Sequence, residues 1–91
     1  MYTKIATVKN PSGLHARPAS EFVSCAKKFS SRLTVKRAGS EGPGVSGKSI
    51  VLLLSQGMAQ GTEVELSAEG EDEAACVDAL TALMDSGFGE L

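Results

Sequence analysis

The pattern of apolar and polar residues divides the chain into short strands and amphipathic helices. Leu33 and Val35 alternate with polar neighbours, and β-branched residues are frequent near the N-terminus, which is typical of strands with one buried face. Strands are predicted over residues 2–8, 32–37 and 61–68, with a short strand near Val45 that completes a hairpin. These strands are expected to form an antiparallel sheet.

Two longer segments carry apolar residues at steps of three and four, the spacing that places side chains on one face of a helix. The first helix is predicted over residues 16–29, with a buried face that comprises Ala19, Phe22, Val23, Ala26 and Phe29. The second is predicted over residues 72–85, with an apolar stripe that comprises Ala75, Val77, Leu80, Leu83 and Met84. Residues 87–91 are expected to fray, with Phe88 as an anchor.

The apolar run from Ile50 to Leu54 fits either a buried strand or a short helix. Ser49 is a favourable N-cap and Gly57 a favourable residue beyond a helix end, so a two-turn helix is predicted. Consecutive apolar residues on two turns cannot all face inward, and those left exposed would form a docking surface. The alternative is a wholly buried segment, and the pattern alone leaves both open.

The resulting order of elements, β-α-β-β-α-β-α, indicates an α+β fold in which helices cover one face of an antiparallel sheet. With 91 residues, the chain is expected to form a single domain spanning residues 1–91. Its longest apolar run is far shorter than a membrane span, and no basic and apolar leader is visible. The sequence therefore predicts a cytoplasmic protein without membrane insertion.

Composition argues against several kinds of site. Two cysteines, Cys25 and Cys76, and a single histidine are too few for a disulfide framework or a four-ligand zinc site, so no metal is expected. Both thiols are predicted to be free and partly buried. A net charge of −2 with only four aromatic residues makes nucleic acid a poor candidate partner. The Gly47-Lys48-Ser49 tripeptide lacks the rest of a nucleotide-binding loop, so no cofactor is expected.

Charge is distributed unevenly along the chain. All nine basic residues and two of the eleven acidic residues lie in the first 50 positions, which carry a formal charge of +7 against −9 for the last 41. If the two halves separate in space, a positive surface would suit acidic partners. If the halves interleave on folding, the same residues form an ordinary mixed surface.

The chemistry of the chain centres on His15, its only histidine, which lies between a Pro/Gly turn at residues 10–13 and Pro18. Proline is tolerated in a helix only in the first turn, so the helix is expected to begin near residue 16, immediately after His15. Unpaired N–H groups and the positive end of the helix dipole suit a phosphate or carboxylate there. The same field favours a neutral imidazole, which is a nucleophile, and Arg17 adds a guanidinium that matches phosphate oxygens. A capping or surface role is the alternative for such a histidine.

The stretch Gly13-Leu14-His15-Ala16-Arg17-Pro18-Ala19 resembles the active-site motif of the HPr family, the histidine-containing phosphocarrier proteins of the bacterial sugar phosphotransferase system. The stretch Val45-Ser46-Gly47-Lys48-Ser49-Ile50 resembles the second motif of that family, and residues 60–62 and 68–73 resemble its last strand and helix entry. The resemblance covers essentially the whole chain. It implies an open-faced β-sandwich, with a four-stranded antiparallel sheet in the order 1-4-2-3 and three helices on one face.

The resemblance also implies a function. His15 would accept a phosphoryl group on Nδ1 from phosphorylated Enzyme I, which phosphoenolpyruvate charges, and would pass it to a histidine of a sugar-specific IIA domain. Arg17 and the backbone N–H groups of Ala16 and Arg17 would hold the phosphate. Partners would dock on a face that carries Ile50, Val51, Leu54, Lys27 and Lys48. Such a protein is a stoichiometric carrier without turnover of its own, and a monomer is expected.

Ser49 matches the regulatory serine of the family. In some bacteria a kinase phosphorylates this serine, and a phosphorylase removes the phosphate. Two other functions stay open at this stage: a paralogue that serves nitrogen regulation with the same chemistry, and a purely regulatory binding protein. His15 argues against the second as the sole role. The sequence departs from the family pattern in a longer connection over residues 38–44 and in Gly47, where alanine is common.

Overall fold

The computed structural model describes residues 1–90, and the predicted order of elements is confirmed. The elements are β1 (Tyr2–Thr7), α1 (Ala16–Ala26), β2 (Arg32–Arg37), β3 (Val45–Ser46), α2 (Ile50–Ser55), β4 (Glu63–Glu69) and α3 (Glu73–Asp85), followed by a 3₁₀ turn at Gly87–Gly89. The chain therefore alternates strands and helices as its hydrophobic pattern predicts.

The four strands form one antiparallel sheet in the order β1-β4-β2-β3. β4 is central: it pairs with β1 on one side and with β2 on the other, so that Val64 lies opposite both Ala6 and Arg37. Val64, Leu66 and Ala68 alternate inward along β4 and are buried. This is the open-faced sandwich expected above, with one face of the sheet covered by helices and β3 reduced to two residues.

α1 covers the sheet with the apolar face predicted for it. Ala19, Phe22 and Ala26 are fully buried. The helix ends at Ala26 rather than at residue 29, because the next N–H groups turn back to closer carbonyls: Lys28 N donates to Cys25 O and Phe29 N to Ala26 O. Phe29 therefore lies beyond the helix and is only partly buried.

α3 packs on the sheet with a face slightly different from the predicted stripe. Val77, Leu80 and Met84 are buried as expected, whereas Ala75 is exposed and Cys76 is fully buried. At about 100° per residue, Cys76 lies about 40° from Leu80 around the helix and Ala75 about 140° away. Cys25 is partly buried as predicted, and burial raises the pKa of the Cys76 thiol.

Packing of α3 against β1 and pairing of β2 with β4 bring the basic and acidic halves of the chain together. Lys4 Nζ lies 2.7 Å from Asp78 Oδ1, Lys9 Nζ 3.3 Å from Asp85 Oδ1 and Lys36 Nζ 3.6 Å from Glu65 Oε2, and each of these ion pairs joins the two halves. The basic and acidic halves of the chain therefore interleave along β1, β2 and α3 and do not separate in space.

Residues 38–44 form the tip of the β2–β3 hairpin, as predicted. Lys36 Nζ donates to the carbonyls of Ser40 and Gly42 and holds this loop against β2. Gly47, which follows β3, lies so close to β2 that a Cβ atom there would fall on the buried Leu33 side chain. The packing of Leu33 thus accounts for glycine at this position.

Asp72 joins α3 to the connection between α1 and β2. Its carboxylate accepts hydrogen bonds from Ser30 N at 2.8 Å, Ser31 N at 2.9 Å and the Ser31 hydroxyl. These donors, the Ser31 hydroxyl first, stabilise the charged form and lower the pKa of Asp72 to about 2.

The loop before α1 is tied to the segment that follows α2. Leu14 is buried and its N–H donates to Met58 O at 2.8 Å, while Gly61 N donates to Val8 O at 2.8 Å. Gly13 has a φ of 70°, and a Cβ atom there would lie 2.6 Å from Met58 O. Only glycine satisfies both the left-handed backbone and this close approach.

The first prediction concerns Asp72→Asn. Because the native pKa of Asp72 is depressed, its carboxylate contributes stability in full above about pH 5, and this contribution is lost as the pH falls toward 2. The variant should be less stable than the wild type at pH 7, and the difference should shrink on acidification. Urea unfolding between pH 2.5 and 7 measures it. Glu71→Gln, an exposed neighbour, is the control, and a pH-independent difference for Asp72→Asn would contradict the assignment.

The second prediction concerns Gly13→Ala. A left-handed backbone costs about 1 kcal/mol for alanine, and overlap with the Met58 carbonyl should add about 1 to 3 kcal/mol. Gly39→Ala is the matched control, because Gly39 has a φ of 82° but no heavy atom within 4 Å of the added Cβ. Urea unfolding should show a clearly larger loss for Gly13→Ala. Equal losses would mean that the close approach to Met58 has no energetic consequence.

Candidate functional site

His15 is the N-cap of α1 and lies at the surface. Its backbone is extended, with φ −127° and ψ 160°, and its side chain makes no capping hydrogen bond to the helix. The imidazole is exposed, while Leu14 before it and Pro18 after it are buried. Leu14 and Pro18 thus anchor the chain on either side of His15, whose ring is open to another molecule.

α1 begins at Ala16, as the position of Pro18 predicts. The first helical hydrogen bond is made by Ala19 N to His15 O, so the N–H groups of Ala16 and Arg17 have no acceptor within the helix. Ala16 has a φ of 46°, which is unusual for a residue with a Cβ atom and stores local strain. The side chain of Arg17 is exposed. Unpaired helix N–H groups, a guanidinium and an imidazole thus lie on consecutive residues at one helix end.

The loop before His15 is also held by the C-terminal segment, a feature that the sequence did not reveal. Asn10 is fully buried, and its Nδ2 donates to Gly13 O at 2.8 Å and to Glu90 Oε1 at 3.2 Å. Glu90 Oε1 also accepts from Ser12 N at 3.1 Å. The expected fraying is wrong for residues 87–90, because Phe88 is buried and Glu90 is bonded to the loop; Leu91 lies outside the described residues.

α1 and α2 pack together and run in opposite directions. At one end, Leu14 N bonds to Met58 O, which follows α2; at the other, Lys48 Nζ donates to Phe29 O at 2.6 Å, joining the start of α2 to the end of α1. His15 therefore lies near the C-terminal end of α2. Lys48 and Ser49 lie at the opposite end, about 9 Å away along α2 at 1.5 Å per residue.

The apolar run on α2 is largely exposed. Ile50 is 38% exposed, Val51 72% and Leu54 39%, whereas Leu53 alone is fully buried. Leu52, which the sequence did not single out, is 43% exposed. The structure thus favours an exposed apolar surface over a wholly buried segment, and this surface extends along α2 toward His15.

The two predicted basic docking residues differ in their surroundings. Lys27 is the exposed C-cap of α1. Lys48 is partly buried, and its ammonium group bonds the Phe29 carbonyl beyond the end of α1. Lys27 therefore presents its charge to solvent, while that of Lys48 also serves to hold the chain beyond α1.

Ser49 is the N-cap of α2, as predicted. Its Oγ accepts a hydrogen bond from Leu52 N at 3.3 Å, and the residue is partly exposed. The hydroxyl therefore has a structural role at a helix N-terminus, where added negative charge is also favourable for the helix.

Within residues 1–90, no group of three or more His, Cys, Asp or Glu side chains is arranged to hold a metal ion. None of the helices in this part of the chain has the length and apolar character needed to cross a membrane.

Comparison with known proteins places these features in a family. Residues 2–86 match the family model described as the PTS HPr component phosphorylation site. The chain is 44% identical over 84 residues to the phosphocarrier protein HPr of Haemophilus influenzae, covering 92% of this chain and 95% of that protein. It is 37% identical over 84 residues to the multiphosphoryl transfer protein of the same organism, of which it spans only 17%.

A solved structure agrees with these sequence comparisons. The crystal structure of HPr-C-His from Thermoanaerobacter tengcongensis superposes with a TM-score of 0.91 and 45% identity, covering 100% of this chain and 99% of that one. Sequence and fold thus agree over nearly the whole length. The chain belongs to the HPr family of phosphocarrier proteins of the phosphotransferase system.

Proposed function

We propose that this protein carries a phosphoryl group on His15, taking it from phosphorylated Enzyme I and giving it to sugar-specific IIA domains. The observation that supports this most directly is the exposed imidazole at the N-terminal end of α1, beside the free N–H groups of Ala16 and Arg17, in a chain of the HPr family. No other histidine in the sequence can take the role.

In the proposed transfer, Nδ1 of a neutral His15 attacks the phosphorus atom held by a histidine of Enzyme I. A P–N bond to His15 forms as the P–N bond to the donor breaks, and the electron pair of the broken bond returns to the donor imidazole. The second transfer repeats this exchange with a histidine of the IIA domain. The bond type is the same on both sides, so each transfer exchanges one P–N bond for another.

Arg17 and the start of α1 would stabilise the transferred group. Charge in phosphoryl transfer is spread over the phosphoryl oxygens, and positioned donors provide most of the stabilisation that a protein can offer. The N–H groups of Ala16 and Arg17 supply such donors, and the exposed guanidinium of Arg17 can reorient toward the oxygens. The site is open because two different proteins must reach the same ring.

Docking would use the α1–α2 side of the molecule. The exposed apolar side chains of Ile50, Val51 and Leu54 provide a contact surface. Lys27 adds exposed positive charge at the C-terminal end of α1, the end away from His15. Lys48 contributes charge at the same end while it holds Phe29 O. A cytoplasmic location and a monomeric state remain predictions.

The test of the carrier role is His15→Ala. With Enzyme I and labelled phosphoenolpyruvate, the wild type should acquire label that is lost in acid and survives alkali, and the variant should acquire none. Because His15 is exposed, the variant should unfold within about 0.5 kcal/mol of the wild type, which shows that the loss is chemical. Label that persists on the variant would place the phosphoryl group elsewhere.

We further propose that phosphorylation of Ser49 by a serine kinase, with reversal by a phosphorylase, regulates docking. The partly exposed hydroxyl caps α2 at the edge of the apolar surface. A phosphate there would add roughly −1.5 to −2 charge, which the helix N-terminus tolerates and an acidic partner surface would not. The exposed His15 argues against a purely regulatory binding protein as the sole role.

Ser49→Asp tests this regulation. Aspartate still caps α2, so stability should be retained, while its charge should slow phosphorylation of His15 by Enzyme I by about tenfold. Ser49→Asn is the matched control, because asparagine caps the helix without charge. Initial transfer rates at low and high salt measure the effect, which should weaken at high salt. If both variants transfer at the same rate, charge at this position does not control docking.

A further inference from the structure

The C-terminal segment reaches the loop that carries His15. Phe88 is 8% exposed and anchors the segment to the core, and Glu90 follows it at the surface. One carboxylate oxygen of Glu90 accepts hydrogen bonds from Ser12 N at 3.1 Å and from Asn10 Nδ2 at 3.2 Å. A residue that is distant in sequence thus closes the turn that precedes the histidine.

Asn10 transmits this contact toward His15. Besides Glu90, its Nδ2 donates to Gly13 O at 2.8 Å, and its own carbonyl accepts from Gly13 N at 3.1 Å. Two acceptors on the same nitrogen fix the orientation of the amide, and the side chain is fully buried. Its Oδ1 atom has no protein partner among the described residues, so Asn10 is held through its nitrogen and its backbone carbonyl.

The turn is therefore held from two directions. Leu14 N bonds to Met58 O on the side of α2, and Glu90 bonds Ser12 and Asn10 on the other side. Gly13 lies between these two anchors, close to the Met58 carbonyl. His15 follows one residue later, after Leu14, and its side chain makes no capping hydrogen bond to the helix.

We propose that Glu90 is a positioning residue for His15: its carboxylate fixes residues 10–13, and through them the backbone from which the imidazole projects. This inference rests on the proposed function, since it concerns how readily His15 is phosphorylated. The Ser12 N–H and the Asn10 amide also lower the pKa of the Glu90 carboxyl, so the contact persists at neutral pH. Glu90 does not touch the phosphoryl group; it acts through the loop.

The kinetic test compares Glu90→Ala with Glu90→Gln. Both variants lose the same charge, but the glutamine amide oxygen can still accept from Ser12 N and Asn10 Nδ2. Phosphoramidate is the donor, because this small molecule phosphorylates histidine without a docking partner. Loss of the hydrogen bonds should slow labelling of Glu90→Ala by about tenfold, and Glu90→Gln should recover most of the wild-type rate. Glu41→Ala, in the exposed hairpin loop, is the control for charge.

A spectroscopic test examines the contact itself. In the wild type, the amide proton shift of Ser12 should titrate with a midpoint below the usual range of a glutamate, and in Glu90→Gln it should not. Hydrogen exchange at Ser12 should accelerate in Glu90→Ala. This titration reports whether the contact exists, and the labelling rates report whether the contact acts on His15.

The outcomes separate the two proposals. Equal labelling rates for Glu90→Ala and Glu90→Gln, whether slower or faster than wild type, would overturn the positioning role, as would a flat Ser12 titration. Absence of label from the wild type with both phosphoramidate and Enzyme I would contradict the carrier function instead. The Ser12 titration would then still decide whether Glu90 holds the loop.

Discussion

The hydrogen bond from Leu14 N to Met58 O is the contact on which the arrangement of the site depends. It joins the loop before α1 to the segment after α2 and so brings the end of α2 to the beginning of α1. Its geometry is strict, since Gly13 approaches the Met58 carbonyl too closely for any side chain. His15, two residues after Gly13, lies at the surface between the buried side chains of Leu14 and Pro18. An accessible ring on a rigid backbone is what a carrier requires, because each partner must find the histidine in the same place.

The sheet supplies the rigidity behind this loop. β4 is paired on both edges, and its inward residues form the floor on which α1 and α3 pack. Its pairing with β1 determines where β1 ends, and Val8 then exchanges hydrogen bonds with the turn at residues 61–62. The loop that carries His15 therefore begins at a fixed point of the sheet and ends at a fixed point of α1. The strained backbone of Ala16 is maintained because both ends of this loop are held in place.

Local chemistry was sufficient to predict most elements and the position of His15. Pro18 restricts where α1 can begin, Ser49 caps α2, and alternation marks the strands, and each of these signals acts within a few residues. The predictions were wrong where contacts between distant parts of the chain determine the structure. Ala75 and Cys76 are both small, so only packing against the sheet shows which one is buried. The contact of Glu90 with Ser12 joins residues 78 positions apart and has no periodic signature. The role of Lys48 at the end of α1 was hidden for the same reason.

The antiparallel arrangement of α1 and α2 also limits how Ser49 could influence His15. The two residues lie at opposite ends of the helix pair, and the length of α2 separates them by about 9 Å at 1.5 Å per residue. At physiological salt, exposed charges are largely screened beyond about 8 Å. A phosphate on Ser49 would therefore have little direct effect on the imidazole. A partner that covers both ends of the α2 surface would meet that phosphate at close range, so control of transfer from Ser49 requires contact with the partner. The same reasoning predicts that transfer from a small donor, which needs no docking, is insensitive to charge at Ser49.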